Sequence, residues 1–266
     1  MILQNKNAVV YGAGGSLGGV VAKALAGAGA RMFLTGLHKN TIQRVADEIN
    51  ASGGIAEAEQ VDALDEKAVQ GHLERVVSKA GRIDISFNAI GVPVVQNIPL
   101  VEISVEDFIN PVYSMMKSQF ITGTVAGRLM MKQGTGIILS LTATPGGIGY
   151  PYTGGFAPAC CALESFSRNL ASELGKYGVR VVNMRSAGSP DSMVFKNAIE
   201  HNPEAMKPIL RKMEQDTMLK KLPMMEDIAN LAVFLSSDQA GRITGTTVDI
   251  TSGTTAALNY KVNGND

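Results

Sequence analysis

Apolar residues fall along this chain in two alternating rhythms. Short aliphatic or β-branched runs, each long enough to cross a sheet, are separated by stretches whose apolar positions recur on one helical face. The first run, Ala8-Val9-Val10-Tyr11, passes through a glycine turn into a small-residue helix predicted over residues 17–28. The pattern predicts further strands at 31–35, 55–61 and 83–87, with helices at 41–51 and 64–80 between them. Two longer helices follow at 104–132 and 153–176, with strands at 137–141, 179–184 and 248–251. Such alternation predicts a parallel sheet covered by helices on both faces. A chain of 266 residues, 45% hydrophobic and 18% charged, suits one α/β domain of this kind, expected over residues 1–258. Residues 259–266 form a polar tail whose composition predicts disorder, and no internal repeat is visible.

The segment 193–225 departs from this rhythm. It carries Met193, Met206, Met213, Met218, Met224 and Met225, and Pro203, Pro208 and Pro223 are expected to break it into short helical pieces. Methionine suits adaptable apolar surfaces, so a mobile lid over a hydrophobic ligand is one reading. Ordinary core and oligomer contact is the other, and the sequence leaves both open.

Charge excludes some partners. Lys+Arg and Asp+Glu balance at 24 each, so the overall attraction that nucleic acid or an anionic membrane relies on is missing. Cys160 and Cys161 are the only cysteines, and adjacent cysteines rarely meet disulfide geometry, which points to a reducing compartment. Residues 1–7 lack a basic stretch followed by an apolar run, so neither a signal peptide nor a membrane span is expected and a cytoplasmic location is read. His38, His72 and His201 are too scattered to predict a metal cluster.

The candidate chemistry begins at Gly12-Ala13-Gly14-Gly15-Ser16-Leu17-Gly18, between the first strand and its helix. Glycines there let backbone N–H groups approach a pyrophosphate at a helix start whose dipole favours negative charge. Asp62, just after the third strand, adds to a nucleotide-binding context.

Further motifs make the chain resemble the short-chain dehydrogenase/reductase family from about residue 6 to residue 253. They are Phe87-Asn88-Ala89-Ile90-Gly91 after the fourth strand, then Asp227-Ile228-Ala229, Phe234-Leu235-Ser236-Ser237-Asp238 and Ile243-Thr244-Gly245. The resemblance implies a Rossmann-type, doubly wound sheet of about seven strands, a dinucleotide across their carboxyl ends, and homodimers or homotetramers built through the two long helices. It also implies cofactor contacts at Gly12, Ser16, Leu17, Gly18, His38, Lys39, Asp62, Asn88, Ala89, Gly91 and Ser192. The family's Asn-Ser-Tyr-Lys tetrad falls on Met115, Ala143, Phe156 and Cys160, so all four positions are substituted.

In the family the tyrosine donates a proton to the carbonyl oxygen, and phenylalanine has none to give. Losing a general acid costs about 10²–10⁴ in rate and an oxyanion donor about 10²–10³, so ordinary ketone reduction is expected to be very slow. Tyr152 and Thr142 are the substitute candidates, with Thr144 and Tyr150 nearby, and Cys160 has no partner that would activate its thiol. The second strand ends Leu34-Thr35-Gly36-Leu37-His38-Lys39, without the acidic residue that would bind a free ribose 2′-hydroxyl, which disfavours NAD and leaves His38 and Lys39 to meet the 2′-phosphate of NADP. A solvated charge pair is the alternative for those two. Pro190 stands where the family uses a backbone N–H to hold the carboxamide, and proline has none. The sequence thus predicts an NADP(H)-binding oxidoreductase with a hydrophobic substrate, reducing an activated alkene or running a non-redox rearrangement. Its alternative is a non-catalytic dinucleotide sensor or structural subunit of a hetero-oligomer.

Overall fold

The structure, a computed structural model, describes residues 1–257, so the predicted polar tail at 259–266 lies outside the described residues. Seven strands form one sheet: β1 (Asn7–Tyr11), β2 (Arg31–Gly36), β3 (Ile55–Gln60), β4 (Ile85–Asn88), β5 (Gly136–Ala143), β6 (Val179–Ser186) and β7 (Thr246–Ile250). Their order is β3-β2-β1-β4-β5-β6-β7, and every adjacent pair is parallel. The predicted doubly wound α/β architecture is therefore the observed one.

Two hydrophobic layers cover the sheet. On one face α1 (Ser16–Gly27), α2 (Lys39–Ala51) and α8 (Met225–Ser236) bury Val21, Leu25, Ile42 and Ala232 against Val10, Leu139 and Met184. On the other, α3 (Glu66–Ala80), α4 (Val105–Gln133) and α5 (Phe156–Leu174) bury Leu73, Val125 and Leu170 against Val9, Ile138 and Val181. Successive strand residues point to opposite faces, so the near-continuous apolar runs follow from burial on both sides.

Local chemistry sets the helix ends. Asp65 caps α3 by accepting the N–H groups of Lys67 and Ala68, which moves its start past the predicted residue 64. Helix α5 begins at Phe156 rather than 153, because Gly154 takes φ +54° and delays the first helical turn. The segment 193–225 forms two helices, α6 (Met193–His201) and α7 (Pro203–Gln215), followed by an irregular stretch. Pro203 opens α7 as expected, but Pro208 does not break it; so near the helix start its missing N–H removes one hydrogen bond only. A short helix, α9 (Thr254–Ala257), ends the described chain.

Candidate active site

With all strands parallel, the segments that follow β1, β4, β5 and β6 gather at one end of the sheet. The glycine-rich turn lies there. Gly12 has φ +73°, and a Cβ on it would sit 2.8 Å from the Ala89 carbonyl oxygen; one on Gly18 would collide with the carbonyl of Gly12. Helix α1 starts at Ser16 with Gly15 as N-cap, no side chain capping it and no acidic residue in its first turn. Its positive end thus stays open toward Ser16, Leu17 and Gly18, an arrangement that fits the diphosphate of a dinucleotide.

A second helix start faces the same turn. The Ser16 hydroxyl accepts the N–H of Met193, the first residue of α6, at 3.3 Å. Ser192 precedes α6 without capping it, so its hydroxyl is uncommitted at that helix end. Next to it, Asp191 accepts the N–H of Met225 at 3.1 Å and pins this loop to the start of α8. Pro190 stands in the same loop, beside Ser189, whose buried hydroxyl has no partner among the described residues.

The other predicted cofactor residues divide into two groups. His38 and Lys39 are exposed at the start of α2, and neither forms an ion pair among the described residues. Exposed Asp62 accepts the N–H of Leu64 at 2.9 Å, which folds the turn after β3. Asn88, by contrast, is buried and spends its amide within the protein. It donates to Thr122 Oγ1 and accepts from the N–H of Ile90, each at 3.0 Å, and so shapes the loop carrying Ala89 and Gly91.

The four tetrad positions form no polar constellation. Met115, buried on α4, belongs to an apolar cluster with Ala159, Leu163, Val92, Val112 and Phe156. Phe156 is the first residue of α5, Cys160 lies one turn further along, and Ala143 ends β5. Burial pushes the Cys160 thiol up to about 11, outweighing a hydrogen bond with the Ala143 backbone, so it stays protonated. The exposed neighbour Cys161 turns instead toward the carbonyl of Gly146.

Polar groups lie beside this floor, and sequence reasoning missed their connection. The Thr142 hydroxyl donates to Glu164 Oε1 at 2.9 Å and accepts from Asn183 Nδ2 at 2.8 Å, so as a substitute proton donor it is already committed. Glu164, buried on α5, is gripped in turn by Arg185 through Nε at 2.9 Å and Nη2 at 2.5 Å, while Arg185 Nη1 reaches Asp249 at 3.2 Å. The available signal was an arginine, Arg185, next to the largely apolar run Val181-Val182-Asn183-Met184 of β6. Thr144 donates to the Ser186 carbonyl at 3.4 Å. Tyr152 is 55% exposed in the β5–α5 loop and Tyr150 is half-buried there. Among the described residues no His, Cys, Asp or Glu group could hold a metal ion, and no helix is long and apolar enough to cross a membrane.

Helices α6 and α7 fold over this end of the sheet. A Cβ on Gly188 would lie 2.6 Å from the Phe195 ring and 2.7 Å from Met213 Cε. The methionine-rich segment therefore packs its apolar side onto the loop after β6.

Known proteins resemble this chain in sequence and fold. Residues 12–255 match the family model described as enoyl-(acyl carrier protein) reductase. An uncharacterized oxidoreductase of Thermotoga maritima is 30% identical over 258 residues, covering 96% of this chain and 100% of its own. The 7alpha-hydroxysteroid dehydrogenase of Escherichia coli K12 is 29% identical over 259 residues, 97% of each chain. The crystal structure of levodione reductase has the same fold, with a TM-score of 0.88 at 24% identity over 96% of this chain and 99% of that one.

Proposed function

The chain belongs to the short-chain dehydrogenase/reductase family of oxidoreductases, and from that premise we propose a divergent member that binds NADP(H) and a hydrophobic small molecule. Its reaction is reduction of an activated alkene, or a non-redox rearrangement, in preference to reduction of a plain ketone. The family binds a nicotinamide dinucleotide, which when bound supplies or accepts the hydride. This chain's residues do the rest. The open start of α1 would hold the diphosphate, with the Ser192 hydroxyl at the start of α6 as a further donor, while His38 and Lys39 would meet the 2′-phosphate.

One observation carries the proposal: Met115 and Phe156 share an apolar cluster, buried Cys160 lies one helical turn beyond Phe156, and the buried Thr142 hydroxyl already donates to Glu164. Such a floor excludes water and favours an apolar ligand, but offers no proton to a nascent alkoxide. Hydride addition to a conjugated alkene places the growing charge along the conjugated system and needs less help at oxygen. The matching description, an enoyl reductase, is of that chemical class.

A homodimer or homotetramer is part of the proposal. Exposed Val105, Ile109, Tyr113 and Phe120 run along α4 as an apolar stripe, a surface suited to a second copy.

Calorimetric titration with NADPH and with NADH tests the cofactor reading. Saturation by NADPH is expected, with weaker binding of NADH; no binding of either at millimolar concentration would sink it. Tight binding without turnover of any enone or ketone would leave the non-catalytic sensor as the reading.

A further inference from the structure

We infer that Tyr152 forms the outer wall of the ligand site and selects flat, cyclic ligands over flexible chains. The inference rests on the proposal above only in taking the ligand to be apolar. Tyr152 has φ +61°, a backbone conformation in which glycine is the default and a bulky aromatic residue is an outlier. Its surroundings hold it there. The Tyr152 carbonyl accepts the N–H of Asn97 at 2.9 Å, and Asn97 has φ +65° itself. Two residues on, a Cβ at Gly154 would sit 2.5 Å from the Val95 carbonyl oxygen, and one at Gly155 would collide with the carbonyl of Phe108. The β4–α4 and β5–α5 loops are therefore locked together with no slack for Tyr152 to relax.

Among the described residues the backbone hydrogen bond from Asn97 holds this conformation, and no hydrogen bond of the side chain adds to it. The residue is 55% exposed, and its phenol takes part in no hydrogen bond among the described residues. Backbone strain of this kind clusters at active sites and ligand clamps. Its position agrees: the loop that holds Tyr152 through Asn97 also carries Val92, which packs with Phe156 and Met115, and Phe156 donates its N–H to the Thr153 carbonyl at 3.1 Å. The backbone at Tyr152 is thus tied to the loop that carries Val92 and adjoins the first turn of the helix that begins at Phe156, two members of the apolar floor. A flat aromatic face gains most from a rigid apolar face laid against it.

Wild type, Tyr152→Phe and Tyr152→Asn are compared by equilibrium dialysis, without added dinucleotide, against progesterone as a rigid polycyclic enone and trans-3-decen-2-one as a flexible one. Asparagine tolerates φ above zero, so Tyr152→Asn is expected to raise the melting temperature by about 2 °C while Tyr152→Phe leaves it unchanged. Progesterone affinity should fall about 5–10-fold in Tyr152→Asn and persist in Tyr152→Phe, with decenone changing less than about 2-fold. No detectable progesterone binding by wild type, equal losses for both probes, or no rise in melting temperature would overturn the inference. NADPH titration of the same proteins is read separately, so failure of the cofactor reading is distinguishable from failure of this one.

Discussion

The hydroxyl of Ser16 accepts the backbone N–H of Met193 at 3.3 Å, joining the glycine-rich turn directly to the start of α6. A glycine in place of Ser16 would leave that helix end without this partner. One hydrogen bond of this kind contributes about 0.5–1.5 kcal/mol. Ser16→Gly is therefore expected to speed hydrogen exchange in the first turn of α6 several-fold, with global stability almost unchanged. Identical exchange in the two proteins would show that the contact does not hold the segment.

Glu164 and Arg185 form a buried ion pair behind the apolar floor, with side chains only 5% and 15% exposed. Removing Glu164 leaves Arg185 with Asp249, 3.2 Å from Nη1, as its remaining ion partner, so the loss is expected at or below about 3–5 kcal/mol, the cost of a fully broken buried pair. Glu164→Ala should lower the urea midpoint accordingly. The Glu164→Ala, Arg185→Met double variant should recover much of the loss, and a single-variant effect below about 1 kcal/mol would contradict the assignment.

His72 makes stability depend on pH. Burial pushes its pKa below 6.5, against the opposing pull of Glu59, whose carboxylate lies 2.8 Å from Nδ1. The unfolded chain then takes up a proton at a higher pH than the folded one. This contribution is complete above pH 6.5 and declines as the pH falls below it, with a slope of at most about 1.4 kcal/mol per unit. Denaturant melts of wild type and His72→Gln between pH 5 and 7.5 (roughly the span over which histidine titrates) should show that slope in wild type alone.

Restoring two tetrad members should not restore the usual activity. Phe156→Tyr with Cys160→Lys returns the acid and the cation, but Ala143 still lacks a hydroxyl and Pro190 an N–H. Lysine at position 160 would also enter a fully buried site and destabilise the fold. Ketone turnover by the double variant is expected to stay within about tenfold of wild type. Robust recovery would show that Ala143 and Pro190 matter less than argued.

The centre of the sheet was legible because its strands are short apolar runs bounded by turn chemistry, as Ala8-Val9-Val10-Tyr11 before Gly12 shows, whereas the edge strands β3 and β7 mix polar and apolar residues. The glycine turn was legible for the same reason: Gly12 and Gly18 sit where a side chain would strike backbone. Less visible was what each side chain does once folded. Asn88 matches a cofactor motif, yet its amide serves Thr122 and Ile90, a pairing set by how α4 crosses β4. The Glu164–Arg185–Asp249 chain joins three elements distant in sequence, and no local pattern announces such a contact. Pro208 was misread because its cost depends on which carbonyl loses a partner, which one position near a helix start makes small.

Steady-state consumption of NADPH with 2-cyclohexen-1-one against cyclohexanone, under identical conditions, tests the central claim most directly. An apolar floor of Met115 and Phe156, with buried Cys160 one turn beyond, predicts turnover of the enone at least about 100-fold faster than of the ketone. Ketone reduction as fast as enone reduction would mean that a proton donor does reach this site, and would contradict the account.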